Sequence, residues 1–158
     1  LSIETGGKNM GYEVLTLQDA LALNWRMQIK DLQAELAGVD RAELDSAAYS
    51  DIFDDAFGSP QVYFCLAIES EHQRIGGMYI ATCMPVGLHR RLYIDGVVVK
   101  KDFRRQGVLR TVLIPHMKQL AHKLQCGTID FTSSRPKAQA AYENAGFGSP
   151  TRAFRLVL

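Results

Sequence analysis

The 158-residue chain has three cysteines, one tryptophan and five prolines, and no apolar run that approaches the roughly 20 residues a membrane-spanning helix needs. Cys65, Cys83 and Cys126 are odd in number, far apart and set in apolar stretches. They supply no disulfide framework, and such thiols behave as small hydrophobes in a reducing compartment, with no catalytic role expected of them. The first residues lack the basic and then apolar layout of a signal peptide, so the expected location is the cytoplasm and no membrane partner is expected. Residues 1–9 are polar and glycine-containing, offer nothing to pack, and are expected to stand outside the fold, leaving residues 10–158 as one domain. Charge of one sign is also lacking. Eighteen basic and 17 acidic side chains give a net charge of +1, which argues for neither nucleic acid nor membrane as a partner.

Metal and nucleotide signatures are missing too. His72, His116 and His122 are singletons on a hairpin tip and a helix, with no pair at ligand spacing, so no metal is expected. There is no G-x-x-x-x-G-K-S/T, and no G-x-G-x-x-G follows a strand, which excludes the nucleotide-hydrolysing loop and the dinucleotide fingerprint.

What is there is enough apolar mass, 47% of residues, for one continuous core. YEVLTL (12–17) alternates as a short strand. Leu21, Trp25, Ile29, Leu32 and Leu36 recur at helical spacing, with Gly38 as a stop. Residues 43–57 read as an acidic helix. QVYFCLAI (61–68) and RIGGMYIATCMPV (74–86), joined by the polar ESEHQ, read as a hairpin, and LYIDGVVV (92–99) as a third strand beside it. A helix follows with Leu109, Leu113, Met117, Leu120 and Leu124 on one face, and Pro115 inside it predicts an irregularity at 111–115. TIDFT (128–132) is a strand, residues 133–147 a helix opened near Ser134 with Pro136 in its first turn, and RAFRLVL (152–158) a last strand. The order predicts a mixed α/β fold.

The segment VVVKKDFRRQGVLR (97–110) carries the clearest chemical signal. A strand that passes through a glycine-containing turn into a helix gathers backbone N–H groups that have no partner within the helix, and these favour an anionic group such as a phosphate. Arg104, Arg105 and Arg110 add fixed charge, and an arginine fork can clamp phosphate oxygens at two points. On this stretch alone, a solvated strand end with Gly107 relieving a tight turn is an equal reading.

Residues 92–147 resemble the cofactor-binding half of the GNAT N-acetyltransferase superfamily. Its motif of a strand followed by Q/R-x-x-G-x-G/A at a helix start is matched by Arg104 and Gly107, and its A-x-x-x-Y-x-x-x-G-F helix by Ala138, Tyr142, Gly146 and Phe147, about 35 residues later. The resemblance implies a mostly antiparallel central sheet of six to seven strands flanked by about four helices. It also implies acetyl-CoA as acyl donor, held by Val97, Val98 and Val99, by the turn Arg104, Arg105, Gln106, Gly107, Val108, Leu109 and Arg110, and by Tyr142. Leu109 stands where the motif has a small residue, and its place on the apolar stripe predicts that it points into the core. Arg135 stands where many relatives have asparagine; it could reach the cofactor or an acidic acceptor, and is read first as a solvated helix end.

The resemblance implies direct attack of an amine on the thioester in a ternary complex, with no protein nucleophile. Tyr142 is then the candidate proton donor to the departing thiolate. Asp95, a carboxylate interrupting an apolar strand, is the candidate base, and a solvated or structurally paired aspartate is an equal reading of it. Gly96 beside it predicts a bulge. The acceptor would be a primary amine of a small molecule or peptide. Residues 31–71 are rich in carboxylates, with Arg41 the single cation among them, which suits a cationic amine as well as it suits an ordinary solvated face. The resemblance allows a homodimer. The competing function classes are a non-catalytic acetyl-CoA-binding module with the same fold and, on the cations of residues 90–110, a nucleic-acid-binding protein.

Overall fold

The structure, a computed structural model, describes residues 2–3, 11–133 and 135–148. Six strands form one sheet in sequence order: β1 (Ser2–Ile3), β2 (Tyr12–Leu17), β3 (Val62–Glu69), β4 (Arg74–Val86), β5 (His89–Val99) and β6 (Cys126–Phe131). Neighbours pair antiparallel except β5 and β6, which run parallel because α5 (Ile114–Lys123) carries the chain back across the sheet between them. The mixed, mostly antiparallel class is as expected. β1 is only two residues long, so five strands carry the sheet. Its residues, in the stretch expected to stand outside the fold, pair with Leu15 and Val14 at the sheet edge. The strand expected at 152–158 lies outside the described residues.

Among the described residues there are six α-helices rather than about four. The single helix expected through Leu21 and Leu36 is two, α1 (Asp19–Leu23) and α2 (Arg26–Ala37), because the backbone leaves helical geometry at Trp25 (φ −108°, ψ 9°). Leu21, the first residue of the expected stripe, is 54% exposed. The acidic helix likewise divides at Asp45 and Ser46 into α3 (Arg41–Leu44) and α4 (Ala47–Gly58). α2 ends where expected, on a left-handed Gly38 (φ 70°) whose N–H bonds Ala34 O at 2.9 Å. The last helix, α6, is Pro136–Asn144, capped by Arg135; the expected start at Ser134 lies outside the described residues.

Two apolar layers sandwich the sheet. Ile29 and Leu32 of α2 and Phe57 of α4 pack with Phe64, Leu66 and Met78 on one face. Leu113, Met117 and Leu120 pack with Cys65, Tyr79 and Leu92 on the other, where Tyr142 of α6 joins them. Before α5 the chain makes one wide π-helical turn, Leu109–Leu113. It supplies the irregularity expected of Pro115: the wide turn lies just ahead of the proline, which has no N–H to offer that preceding turn.

His116, fully buried on α5, fastens this layer. It shares hydrogen bonds of 2.6 Å with Tyr79 Oη through Nδ1 and 3.1 Å with Thr16 Oγ1 through Nε2, tying β4 and β2 to α5. A neutral imidazole, with one ring nitrogen donating and the other accepting, satisfies both partners. Burial pushes the imidazole down to about 4. Because that lies below the unfolded value, the contribution to stability is complete above about pH 6.5 and is lost as pH falls through about 4, on the order of 3 kcal/mol in all. Urea unfolding at pH 7 and at pH 4 should show this loss in the wild type, and a smaller one in His116→Gln.

Candidate active site

β5 and β6 part company halfway along. Their parallel pairing runs from Arg90 and Cys126 to Ile94 and Phe131 and stops there. β5 continues through Asp95–Val99, and among the described residues no strand pairs with that stretch on the β6 side. The parting coincides with a bulge. Register with β4 jumps from Met78↔Val98 to Ile80↔Asp95, so Tyr79 faces both Gly96 and Val97. Gly96 has φ +58°, so the backbone conformation favours glycine, while a Cβ there would meet the movable end of the Gln33 side chain at 2.7 Å.

The gap opens into a cleft of about 790 Å³. Val97, Val98 and Val99 line one wall, the turn residues Arg104, Arg105, Gly107, Val108, Leu109 and Arg110 close one end, and Tyr142 and Asp95 also reach it. Two expected residues fit less well. Gln106 does not line the cleft; its Nε2 donates to Asp102 O at 3.0 Å. Val98 is buried in the layer on the α2 side of the sheet, so only Val97 and Val99 have side chains on the cleft's own layer. Leu109, expected to point away, does both things: it packs against the core and lines the cleft.

The turn is shaped for an anion. Arg105 (φ 65°) and Gly107 (φ 77°) are left-handed, and Val108 returns at once to right-handed geometry (φ −53°, ψ −43°). Such alternation turns successive N–H groups towards one side. Thr111 closes the turn from behind, its N–H and Oγ1 both donating to Gly107 O at 2.8 and 2.9 Å. A Cβ at Gly107 would touch only Thr111, at 3.6 Å or more, so the glycine leaves open room above the backbone. Arg135 and Lys137, before and within α6, add charge from the opposite wall, and Asp95 is the single acidic side chain in the lining among the described residues. Arg135 is exposed at the start of α6 and also borders the cleft, and Lys137 drew no attention in the sequence because helix-end cations are common.

Tyr142 is 5% exposed and packs against Phe131 at a tilt of 50°, with ring centroids 4.1 Å apart, while Phe147 meets it edge-on at 6.0 Å. Burial pushes its phenol up to about 12. The group stays protonated at all ordinary pH, and its hydroxyl has no protein hydrogen-bond partner among the described residues. Asp95 is exposed and one carboxylate oxygen accepts the Gly96 N–H at 2.7 Å; the other has no partner among the described residues.

The charge distribution is less polar than the sequence suggested. Asp31 and Asp45 pair with Arg41, Asp45 also with the buried Lys30, Asp54 with Arg26, and Glu69 with Arg74. In the basic segment Arg91 pairs with Asp130, Arg104 with Glu35, and Arg90 donates to Leu124 O. His72 is not isolated: ligand atoms of Glu69, Glu71 and His72 lie within 4.8 Å of one another. Glu69 already accepts from His72, Arg74 and the Glu71 N–H within the hairpin tip. Cys65 is fully buried and its thiol is pushed up to about 12 by that burial, so it is inert as a nucleophile. No helix among the described residues is long and apolar enough to cross a membrane.

Comparison with known proteins agrees with this geometry. A sequence model of the acetyltransferase (GNAT) family matches residues 26–147. No curated protein sequence matches significantly. Among solved structures, an acetyltransferase from Trypanosoma brucei superposes with a TM-score of 0.68 at 22% identity, covering 93% of this chain and 99% of that one. An aminoglycoside acetyltransferase from an uncultured soil metagenomic sample gives 0.74 at 18%, covering 94% and 99%. A predicted acetyltransferase from Clostridium acetobutylicum, solved with acetyl-CoA, gives 0.70 at 12%, covering 92% and 96%.

Proposed function

The chain belongs to the acetyltransferase (GNAT) family, and from that premise we propose that it is an acetyl-CoA-dependent N-acetyltransferase acting on a primary amine of a small molecule or peptide. The observation that carries the proposal is the parting of β5 from β6, which leaves the Val97–Val99 edge beside a cleft that ends at the Gly107 turn. An exposed strand edge can take an extended amide-bearing chain as an added strand, and the turn with its arginines can take a pyrophosphate. Both halves of acetyl-CoA, pantetheine and diphosphate, are thus matched by adjacent features of one cleft.

In this reading Asp95 accepts the proton of the attacking amine through its unengaged oxygen, directly or through a water. Tyr142 acts on the leaving thiolate. A phenol near 12 is a weaker acid than a thiol of ordinary pKa about 8.5, so Tyr142 stabilises the thiolate as a hydrogen-bond donor rather than surrendering its proton outright. Phe131 and Phe147 fix the ring that presents the hydroxyl.

The bond from Asp95 to the Gly96 N–H favours a second reading, a module that binds acetyl-CoA without transfer. A panel of polyamines, aminoglycosides and peptides with free amino termini, followed by release of the CoA thiol, separates the two. Transfer to any of them supports the enzyme. Binding of acetyl-CoA with no transfer to any supports the module.

A further inference from the structure

Arg104 opens the motif at the anion-binding turn, yet its guanidinium is already held. Nε donates to Val99 O at 3.0 Å and Nη2 to Glu35 Oε1 at 3.1 Å. The same oxygen of Glu35 accepts the N–H of Lys101 at 2.9 Å. One carboxylate oxygen of α2 thus accepts a backbone N–H and one guanidinium N–H beside the cleft, which is the work a phosphate oxygen would do there. The opposite wall makes a similar reach: Arg135 Nη2 donates to Leu36 O at 3.3 Å. Arg104, Arg135 and Leu36 all line the cleft, so the last turn of α2 is fastened to both of its sides.

We propose that Glu35 is an intramolecular stand-in for an anionic group of the acyl donor, and that donor binding moves Arg104 from Glu35 to the diphosphate. The proposal rests on the acetyl-CoA reading and adds an affinity-setting residue to it. Glu35 lies outside every motif that carries the family resemblance and 69 residues from Arg104.

The energetics allow the exchange. The pair is partly exposed, with Arg104 at 52% and Glu35 at 29% side-chain exposure. Such pairs shift an equilibrium by only about two- to fivefold. A diphosphate brings more negative charge than one carboxylate, and the N–H groups of the turn add to its hold. Arg105 and Arg110 have no hydrogen-bond or ion-pair partner among the described residues, so they can engage the ligand first, while Arg104 is still occupied.

The test is a double-mutant cycle read by calorimetric titration with CoA, which needs no knowledge of the acceptor. Glu35→Gln keeps an oxygen for the Lys101 N–H and removes the charge that competes for Arg104. It should tighten CoA binding about two- to fivefold, while the urea midpoint confirms an intact fold. In an Arg104→Ala background the same change should have no effect. Unchanged or weaker CoA binding by Glu35→Gln, with Arg104 present, overturns the proposal and leaves the acetyl-CoA reading standing. A wild type that binds no CoA overturns both.

Discussion

Gly107→Glu is expected to lower acetyl-CoA affinity by at least about 100-fold, because two independent penalties fall on one position. The residue has φ 77°, where an L side chain costs roughly 1–2 kcal/mol, and the carboxylate would enter the space left open above the turn. At 4 Å from a like charge, at the effective dielectric near a protein surface, repulsion is on the order of 4 kcal/mol, and each 1.4 kcal/mol is about a factor of ten. Gly107→Ala separates the two. Its Cβ meets only Thr111, at an ordinary 3.6 Å, so it carries the backbone penalty without the charge and should lose affinity about tenfold or less. Calorimetric titration of both variants, with urea unfolding as a fold control, checks this. Equal loss in the two would mean that the backbone conformation, and not the anion site, is what the glycine serves.

Tyr142→Phe should leave acetyl-CoA binding within about twofold and reduce kcat by roughly 100-fold, the size expected when one donor to a developing negative charge is removed. The phenyl ring keeps its tilted contact with Phe131 and its edge contact with Phe147, and the hydroxyl has no partner to orphan among the described residues, so stability should hardly change. The pH profile adds a constraint. With the phenol pushed up to about 12, Tyr142 keeps its proton to about pH 11, so a decline in kcat at pH 8 to 10 would have to come from another group. Steady-state rates for the variant and the wild type on one acetylated amine decide the matter. Unaltered kcat would remove Tyr142 from the mechanism and return it to the core that Phe131 and Phe147 share.

Both residues were legible in the sequence, for different reasons. Gly107 stood out by position, a glycine between an apolar strand and an apolar helix amid arginines, although on that stretch alone relief of a tight turn was an equal reading. Tyr142 did not: on helical spacing alone it is a core aromatic, and it is one. Only the paired motifs pointed to the cleft. The strands of the hairpin were readable because alternation and a polar tip are local signals, and β4 runs over the expected residues, Arg74–Val86. The bulge was foreshadowed by Gly96 next to Asp95.

The remainder depended on distance. A stripe at steps of 3 and 4 tolerates a break, so nothing local separated α1 from α2 at Trp25, where the chain turns a corner. The acidic segment looked like a negative face because its partners are remote or on neighbouring helices, as with Arg26 and Asp54 or Lys30 and Asp45. Arg104 read as a free phosphate ligand because nothing near it in sequence hints at Glu35. Ion pairs of this kind are set by how helices lie on a sheet, and one sequence does not specify that placement residue by residue.

The most direct test of the account is calorimetric titration of the folded protein with acetyl-CoA, with ATP and NAD as controls. Binding at micromolar or tighter affinity, selective for acetyl-CoA, is the predicted result, since only that ligand offers a diphosphate for the Gly107 turn and an amide-bearing arm for the Val97–Val99 edge together. No binding, or binding of ATP as tight as that of acetyl-CoA, would contradict it and leave a family fold without the family's donor site.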